Sequence, residues 1–260
     1  MDNDLWDAQT YDKVSSIQEG WALDVMQRRN KWRGDEVVLD AGCGSGRPTR
    51  ALAGKVPEGR VYAVDMDPNM VRQAQANLRD CNNVQVIQSD ITRVKLPAKV
   101  DVVFSNAVLH WIADHRAVFA NFAELLKDRG QLLAQCGGQG NLESAIAILD
   151  RVASSDPFRR YFAGWKNPWN FATPDDTEKL LYEAGFRNAT AKLSAAPVTF
   201  ASREQFSTFV KTAVVRSHLA RLPAVHQDRF LEAYLDECER QSQQKKWLLG
   251  YVRLNITAEK

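Results

Sequence analysis

The sequence of 260 residues is short of several things at once. It has only four cysteines, Cys43, Cys81, Cys136 and Cys238, widely spaced, with no Cys-x-x-Cys and no histidine pair beside them. That argues against a disulfide framework and against a metal site, and makes a reducing cytoplasm the expected compartment. It lacks an excess of either charge: 34 Lys and Arg face 32 Asp and Glu, for a net charge of +2, with no block of five like charges. Neutralising a phosphate backbone takes a basic excess, so no nucleic-acid partner is expected. No apolar run approaches the roughly 18 residues that span a bilayer, so no membrane partner is expected either. The start, Met1-Asp2-Asn3-Asp4, is acidic where a secretory leader would be basic and then apolar. Repeats and low-complexity tracts are missing. Aromatic residues are scarce in one place: residues 34–104 hold only Tyr62 and Phe104, and all seven Trp lie elsewhere.

What is present is a globular composition, 45% apolar and 25% charged, which excludes general disorder. The length exceeds one domain of about 150 residues and falls short of two. The aromatic-poor stretch alternates strands and helices. Val37–Ala41 is a short apolar run entering glycines, and Val61–Asp65 is a second such strand. Asp67 is placed to cap a helix with Pro68 at its first position and an apolar stripe of Met70, Val71, Ala74 and Leu78. Strands are expected at Val84–Gln88, Asp101–Ser105 and Gln131–Cys136. Between the last two, a helix capped by Asp114 should end at Gly130. Such alternation means α/β architecture with a parallel sheet. Beyond Cys136, helical and loop signals carry Phe158, Tyr161, Phe162, Trp165, Trp169 and Phe171. A helix starts at Thr173-Pro174 and stops at Gly185, a strand follows near Ala189–Leu193, helices fill 202–243, and Trp247–Ile256 reads as a last strand. The first 33 residues look helical and amphipathic.

The sharpest motif is Asp40-Ala41-Gly42-Cys43-Gly44-Ser45-Gly46, a glycine turn between a buried strand and a helix. Glycines there let backbone pass close to a ligand. The third position of a dinucleotide fingerprint is filled by Arg47, and Asp65 ends the next strand, where a carboxylate can accept both hydroxyls of a ribose. Asp40, an anion before the glycines, suits a cationic ligand and sits poorly beside a pyrophosphate, which disfavours a nicotinamide-dependent oxidoreductase. Ser89-Asp90-Ile91 follows the third strand, placed for an adenine amine. Cys43 reads as a small buried residue with nothing nearby to activate a thiolate.

These motifs, with Phe104-Ser105-Asn106-Ala107 after them, resemble the class I S-adenosylmethionine-dependent methyltransferases over residues 35–137. The resemblance implies a Rossmann-like seven-stranded, mainly parallel sheet in the order 3-2-1-4-5-7-6, with helices on both faces and a helical lid. It implies S-adenosylmethionine as cofactor, the glycine turn (Gly42, Gly44, Gly46) and Asp40 holding the methionine part, Asp65 the ribose, Met66 packed on the adenine, and Ser89, Asp90, Ile91 and Asn106 completing the site. Residues 1–33 are expected as an N-terminal lid segment and 34–260 as the methyltransferase domain, with helical insertions at 138–171 and 200–243.

Within that family, Ser105-Asn106-Ala107-Val108-Leu109-His110-Trp111 is similar to trans-aconitate methyltransferases. The spacing of Tyr11 to Gln18, with Leu109-His110-Trp111, resembles juvenile-hormone-acid methyltransferases, and malonyl-carrier-protein methyltransferases share much of the core. The resemblance gives Gln18 and Trp111 the task of holding a substrate carboxylate. His110 stands either as a general base and substrate contact or as a packed residue at a strand end. Trp6, Tyr11, Trp165 and Trp169 are candidates to line an apolar pocket, though each alone is also ordinary core. Asn167-Pro168-Trp169 is similar to a motif of nucleic-acid amino-methyltransferases but lies away from the strand-four position where that motif belongs. The expected activity is methyl transfer by in-line displacement to a small, partly apolar molecule, as O-methylation of a carboxylate, whose pKa of about 4 leaves it ionised without a base. The alternatives are N- or C-methylation with His110 as base and a non-catalytic cofactor-binding module.

Overall fold

The computed structural model describes residues 16–241 and 247–260, with side chains from residue 19 onward. Nine strands are described: β1 (Val37–Ala41), β2 (Arg60–Asp65), β3 (Val84–Gln88), β4 (Val100–Asn106), β5 (Leu126–Gly137), β6 (Arg187–Ala195), β7 (Val198–Phe200), β8 (Trp247–Leu249) and β9 (Val252–Glu259). The helices are α1 (Ser16–Gln27), α2 (Arg47–Lys55), α3 (Pro68–Asn77), α4 (His115–Leu125), α5 (Glu143–Ala153), α6 (Arg159–Phe162), α7 (Pro174–Glu183), α8 (Arg203–Ala213), α9 (Arg216–Arg221) and α10 (Ala224–Gln241), with one 3-10 turn at Leu109–Trp111. None of the described helices is long and apolar enough to cross a membrane. The chain divides into two compact units.

The larger unit contains residues 16–139, 169–194 and 253–260 of the described chain. Its sheet runs β3-β2-β1-β4-β5-β9-β6. β1 pairs in parallel with β2 and β4, β2 with β3, and β4 with β5, while β9 is antiparallel to β5. With β9 as the seventh large strand, this is the expected class I methyltransferase order. Alternate residues of each strand supply two cores, as the two-residue period of a strand requires. One face gives Leu39, Val64, Val103 and Leu132 to a core with Phe119 and Phe122 of α4 and Leu181 of α7. The other gives Val38, Val61, Val102, Phe104 and Leu133 to a core with Leu52 of α2 and Ala22, Val25 and Met26 of α1.

Local signals explain the element ends. Asp67 Oδ1 accepts from the backbone N–H of Asn69 and Met70, 2.7 and 3.1 Å, and Pro68 opens α3. Thr173 caps α7 through its hydroxyl, and Gly185 at φ +88° ends it, with Phe186 N–H donating to the Leu181 carbonyl.

Two expectations need correction. The helix capped by Asp114 ends at Leu125 rather than Gly130: Leu126 is already extended, and β5 begins there. The last strand divides at Gly250-Tyr251, so that β8 pairs with the unforeseen β7 and only β9 joins the large sheet. A continuous alternation conceals such a break because each half alternates correctly by itself. Helix α1 has Ala22, Val25 and Met26 fully buried in the sheet's own core. The aromatic run ending at residue 171 also divides, with Trp169 onward belonging to the sheet unit.

The smaller unit contains residues 140–168, 195–241 and 247–252 of the described chain. It is built of α5, α6, α8, α9 and α10 with the β7–β8 ribbon. Phe230 of α10 is its hub, with ring centroids 5.0 Å from Phe158, 5.6 Å from Phe162 and 5.9 Å from His218. Arg203 of α8 bridges Glu232 and Asp236 of α10 at 3.0 and 2.9 Å.

Candidate active site

The carboxyl ends of β1, β2, β3 and β4 bring the motif residues to one edge of the sheet, where ligands of open parallel sheets gather. Gly42, Gly44 and Gly46 all have positive φ, +85°, +55° and +87°. The turn is tied to β2: the N–H groups of Gly42 and Cys43 both donate to the Val64 carbonyl, at 2.8 and 2.9 Å. Two of the glycines are required by close approach. A Cβ on Gly42 would lie 2.2 Å from Val108 Cγ2, and one on Gly46 would lie 2.7 Å from Leu78 Cδ1. A Cβ on Gly44 would meet nothing within 4 Å, so this part of the turn faces open space.

Asp65 is held by backbone on both oxygens. Oδ2 accepts from Gly44 N–H and Oδ1 from Asp67 N–H, each at 2.9 Å. This fixes the carboxylate plane and leaves further lone pairs for hydroxyl donors. Burial raises its pKa, and the two backbone donors oppose the rise. Asp40 is 1% exposed, and Thr49 Oγ1 donates to its Oδ2 at 2.7 Å. Burial lifts its pKa to about 7, against the Thr49 bond and with a smaller push from the Asp65 charge. A buried and a half-buried carboxylate beside an open glycine cradle fit a nucleoside with a cationic end and repel a pyrophosphate. Burial, with Asp40 and Asp65 adding to it, holds the Cys43 thiol far above the usual range, so it is inert.

After β3, Asp90 Oδ1 accepts from both the N–H and the hydroxyl of Thr92, 2.9 and 2.8 Å, and Arg93 approaches Oδ2 at 3.8 Å. The carboxylate therefore also closes its own turn. The Ile91 side chain is buried in the sheet core with Tyr62, Val64 and Val94. Met66 is the opposite case, 68% exposed right after Asp65. Asn106 is buried at the end of β4, and Ser105 Oγ donates to the Ala41 carbonyl at 2.8 Å, locking β4 to β1.

After β4 the chain turns through Ala107, φ +60°, into the Leu109–Trp111 turn. His110 is 8% exposed, and the Gly137 N–H donates to its Nδ1 at 3.2 Å. Burial, then the charge of Arg253, then His115, drive its pKa well below the ordinary histidine value. The backbone N–H of Asn170 donates to the His110 carbonyl at 2.8 Å, and Asn170 Nδ2 binds the carbonyls of Ile112 and Ala113. That clamp builds an aromatic wall: Trp111 meets Trp169 edge-on at 5.8 Å, Trp169 stacks on Phe171 at 5.5 Å, and Phe171 lies 5.9 Å from His110.

Of the expected acceptor residues, the structure thus assembles His110, Trp111 and Trp169. Trp165 belongs to the helical unit, packed against His218 at 4.6 Å and Phe162 at 5.5 Å. Trp6 and Tyr11 lie outside the described residues, as does the side chain of Gln18, whose backbone is in α1. Sequence reasoning missed Thr49, Val108, Phe171 and Arg253. Val108 had a signal, since it abuts the motif at Gly42. Arg253 had none, because a charged residue in an alternating strand reads as solvent-facing.

Residues 39–134 match the methyltransferase domain family. Over its whole length the chain is 27% identical to an uncharacterised methyltransferase of Schizosaccharomyces pombe, covering 100% of each. It is also 27% identical over 232 residues to trans-aconitate 2-methyltransferase of Shigella dysenteriae, covering 86% of each chain. Among solved structures it is similar to phosphoethanolamine N-methyltransferase 2 of Haemonchus contortus in complex with phosphomonomethylethanolamine and S-adenosylhomocysteine. That likeness has a TM-score of 0.61 at 17% identity and covers 97% of this chain and 56% of that one. Motif order, sheet order, the carboxylate-lined glycine cradle and these likenesses converge on a class I S-adenosylmethionine-dependent methyltransferase.

Proposed function

We propose that this enzyme O-methylates a carboxylate of a small, partly apolar molecule. The observation that carries the reading is the hydrogen bond from Gly137 N–H into His110 Nδ1. With Nδ1 accepting, the neutral ring holds its proton on Nε2. The low pKa keeps that ring neutral at physiological pH. His110 therefore offers a donor to the acceptor rather than a lone pair. A carbon, phenol or ammonium acceptor needs a base to take its proton, whereas a carboxylate arrives ionised and gains from a donor that orients it.

When bound, S-adenosylmethionine supplies an electrophilic methyl group on a sulfonium, and displacement from it demands alignment above all. The glycine turn and Asp40 hold the cationic amino-acid end, Asp65 the ribose hydroxyls, and Met66 packs on the adenine. Ser89, Asp90, the Ile91 backbone and Asn106 complete that half. His110 and Trp111, with Gln18, orient the acceptor carboxylate, and Trp169 and Phe171 exclude water from it. The trans-aconitate 2-methyltransferases among the relatives support the same acceptor chemistry.

The test is incubation with methyl-labelled cofactor and either trans-aconitate or a metabolite extract, followed by mild base. A label released as methanol is the expected result. A base-stable product would mean N- or C-methylation and would overturn the carboxylate assignment, and cofactor binding with no product from any pool would leave only a binding module.

A further inference from the structure

On α4, the fully buried Val118, Phe119 and Phe122 share the inner face with a polar residue, Asn121, which is buried beside them. Asparagine is a poor choice in a helix interior, where its amide competes with the backbone, and a core tolerates it only when it is hydrogen-bonded. Here Nδ2 donates to two carbonyls of the chain that leaves β3, Ile91 at 3.0 Å and Val94 at 3.2 Å.

That chain needs an anchor. β3 is an edge strand, and its ladder with β2 ends at Gln88, followed by one bond from Ser89 N–H to the Asp65 carbonyl at 2.9 Å. The turn beyond is tied within itself: the Asp90 carbonyl accepts from Arg93 N–H at 3.1 Å, and Asp90 Oδ1 accepts from Thr92 N–H. Ile91 and Val94 seat this turn in the same core as Phe119 and Phe122. Apolar packing sets its depth, whereas two hydrogen bonds from one planar amide also set its direction. The ion pair of Lys95 with Glu124 of α4, at 3.0 Å, is exposed at both ends and contributes little. Asn121 thus grips the turn at the residue bonded to Asp90 and again three residues on.

We propose that Asn121 is the positioning residue for the cofactor's base: from α4 it aims the Asp90 carboxylate at the exocyclic amine and so sets the preference for adenine. This rests on the assignment of Asp90 to the adenine amine and adds the residue through which that carboxylate is placed.

The experiment measures, by calorimetry on the full-length enzyme, affinity for S-adenosylhomocysteine and for its analogue with hydrogen in place of the adenine amine. Wild type should prefer the amine about thirtyfold, the size of a hydrogen bond to a charged group, and Asp90→Ala should bring the preference close to one. Asn121→Leu, of similar volume without a donor, should lower it at least about fivefold while affinity for the analogue stays within about threefold. Asn121→Gln, which keeps the amide, should fall between. Added to Asp90→Ala, Asn121→Leu should change the preference no further; a further fall would mean that Asn121 acts by another route. A merely structural residue would weaken both ligands alike and leave the preference unchanged. Either outcome overturns the assignment. His115→Leu is the control, because His115 is buried on the same helix but its Nε2 donates to the Leu109 carbonyl at 2.8 Å. An equal loss of preference there would trace the effect to α4 as a whole and also overturn it. If wild type shows no preference, or Asp90→Ala keeps it, the Asp90 assignment is what fails, and Asn121 loses its role with it. If circular dichroism shows Asn121→Leu unfolded, Asn121→Ser, too short to reach both carbonyls, is read in its place. A preference falling at least about threefold then supports the role, and an unchanged one contradicts it.

Discussion

The site residues of the sheet unit and His218 of the helical unit show two opposite ways of burying a polar group. In the sheet unit the backbone takes them: Asp65 is held by two N–H groups, Ser105 by the Ala41 carbonyl, His115 by the Leu109 carbonyl at 2.8 Å, and His110 by Gly137 N–H. In the helical unit His218, 1% exposed, has neither ring nitrogen hydrogen-bonded among the described residues and sits among Phe162, Trp165 and Phe230. The difference is instructive. Backbone donors fix direction to a few tenths of an ångström, which a cofactor that must be aligned demands. Ring packing fixes volume but leaves a polar group to pay its desolvation unaided.

The harshest break of the backbone-held half is Gly42→Ala. The new Cβ would stand 2.2 Å from Val108 Cγ2 at φ +85°, and overpacking with left-handed strain is expected to cost about 4 kcal/mol in urea unfolding. Adding Val108→Gly, which also removes the Val108 Cβ that would stand 2.9 Å from the new one, should recover only the steric part. Full recovery would show that backbone strain plays no role.

Asp65→Ala comes next. It leaves the N–H groups of Gly44 and Asp67 without their carboxylate and should weaken cofactor binding by about 3 kcal/mol in calorimetry. Unchanged affinity would remove Asp65 from the ribose.

Asp40→Asn sharpens the comparison through pH. With a pKa near 7, Asp40 is partly protonated at neutrality, and a cationic ligand selects the carboxylate. Cofactor affinity should therefore fall about tenfold per pH unit below 7 in wild type, with a proton released on binding, and lose that slope in the variant. Stability runs the other way. A carboxyl whose pKa is raised by folding contributes most below pH 4 and loses its contribution as pH rises to 7, so the gain from Asp40→Asn should be larger at pH 8 than at pH 5.

The smallest effect belongs to the ring-packed half. Burial lowers the His218 pKa to about 4, so its stabilising contribution is present above pH 6.5 and lost as pH falls towards 4. His218→Phe should slow hydrogen exchange in α9 and α10 by the equivalent of about 1 kcal/mol at neutrality, and by more at pH 5. Faster exchange would show that the imidazole has a partner that phenylalanine cannot replace.

These contrasts also mark what the sequence could disclose. The cofactor half was legible because glycines and carboxylates at strand ends have a local physical meaning: Asp40, Gly42 and Asp65 are where their spacing places them. The break at Gly250-Tyr251 was hidden by alternation on both sides. Arg253 was invisible because its neighbours, Trp21, Gln135 and Gly137, lie far apart in sequence and meet only through the order of the sheet.

The central claim is that His110 donates a hydrogen bond and takes no proton. Its most direct test is kcat from pH 6 to 9 at saturating cofactor and carboxylic acid, for wild type and for His110→Gln, whose amide keeps a donor near Nε2. The account predicts a flat profile for both, with the variant retaining most of the rate. A wild-type rate that climbs with pH along a single ionisation, together with a rate in His110→Gln reduced about a hundredfold or more, would make His110 a general base and contradict it.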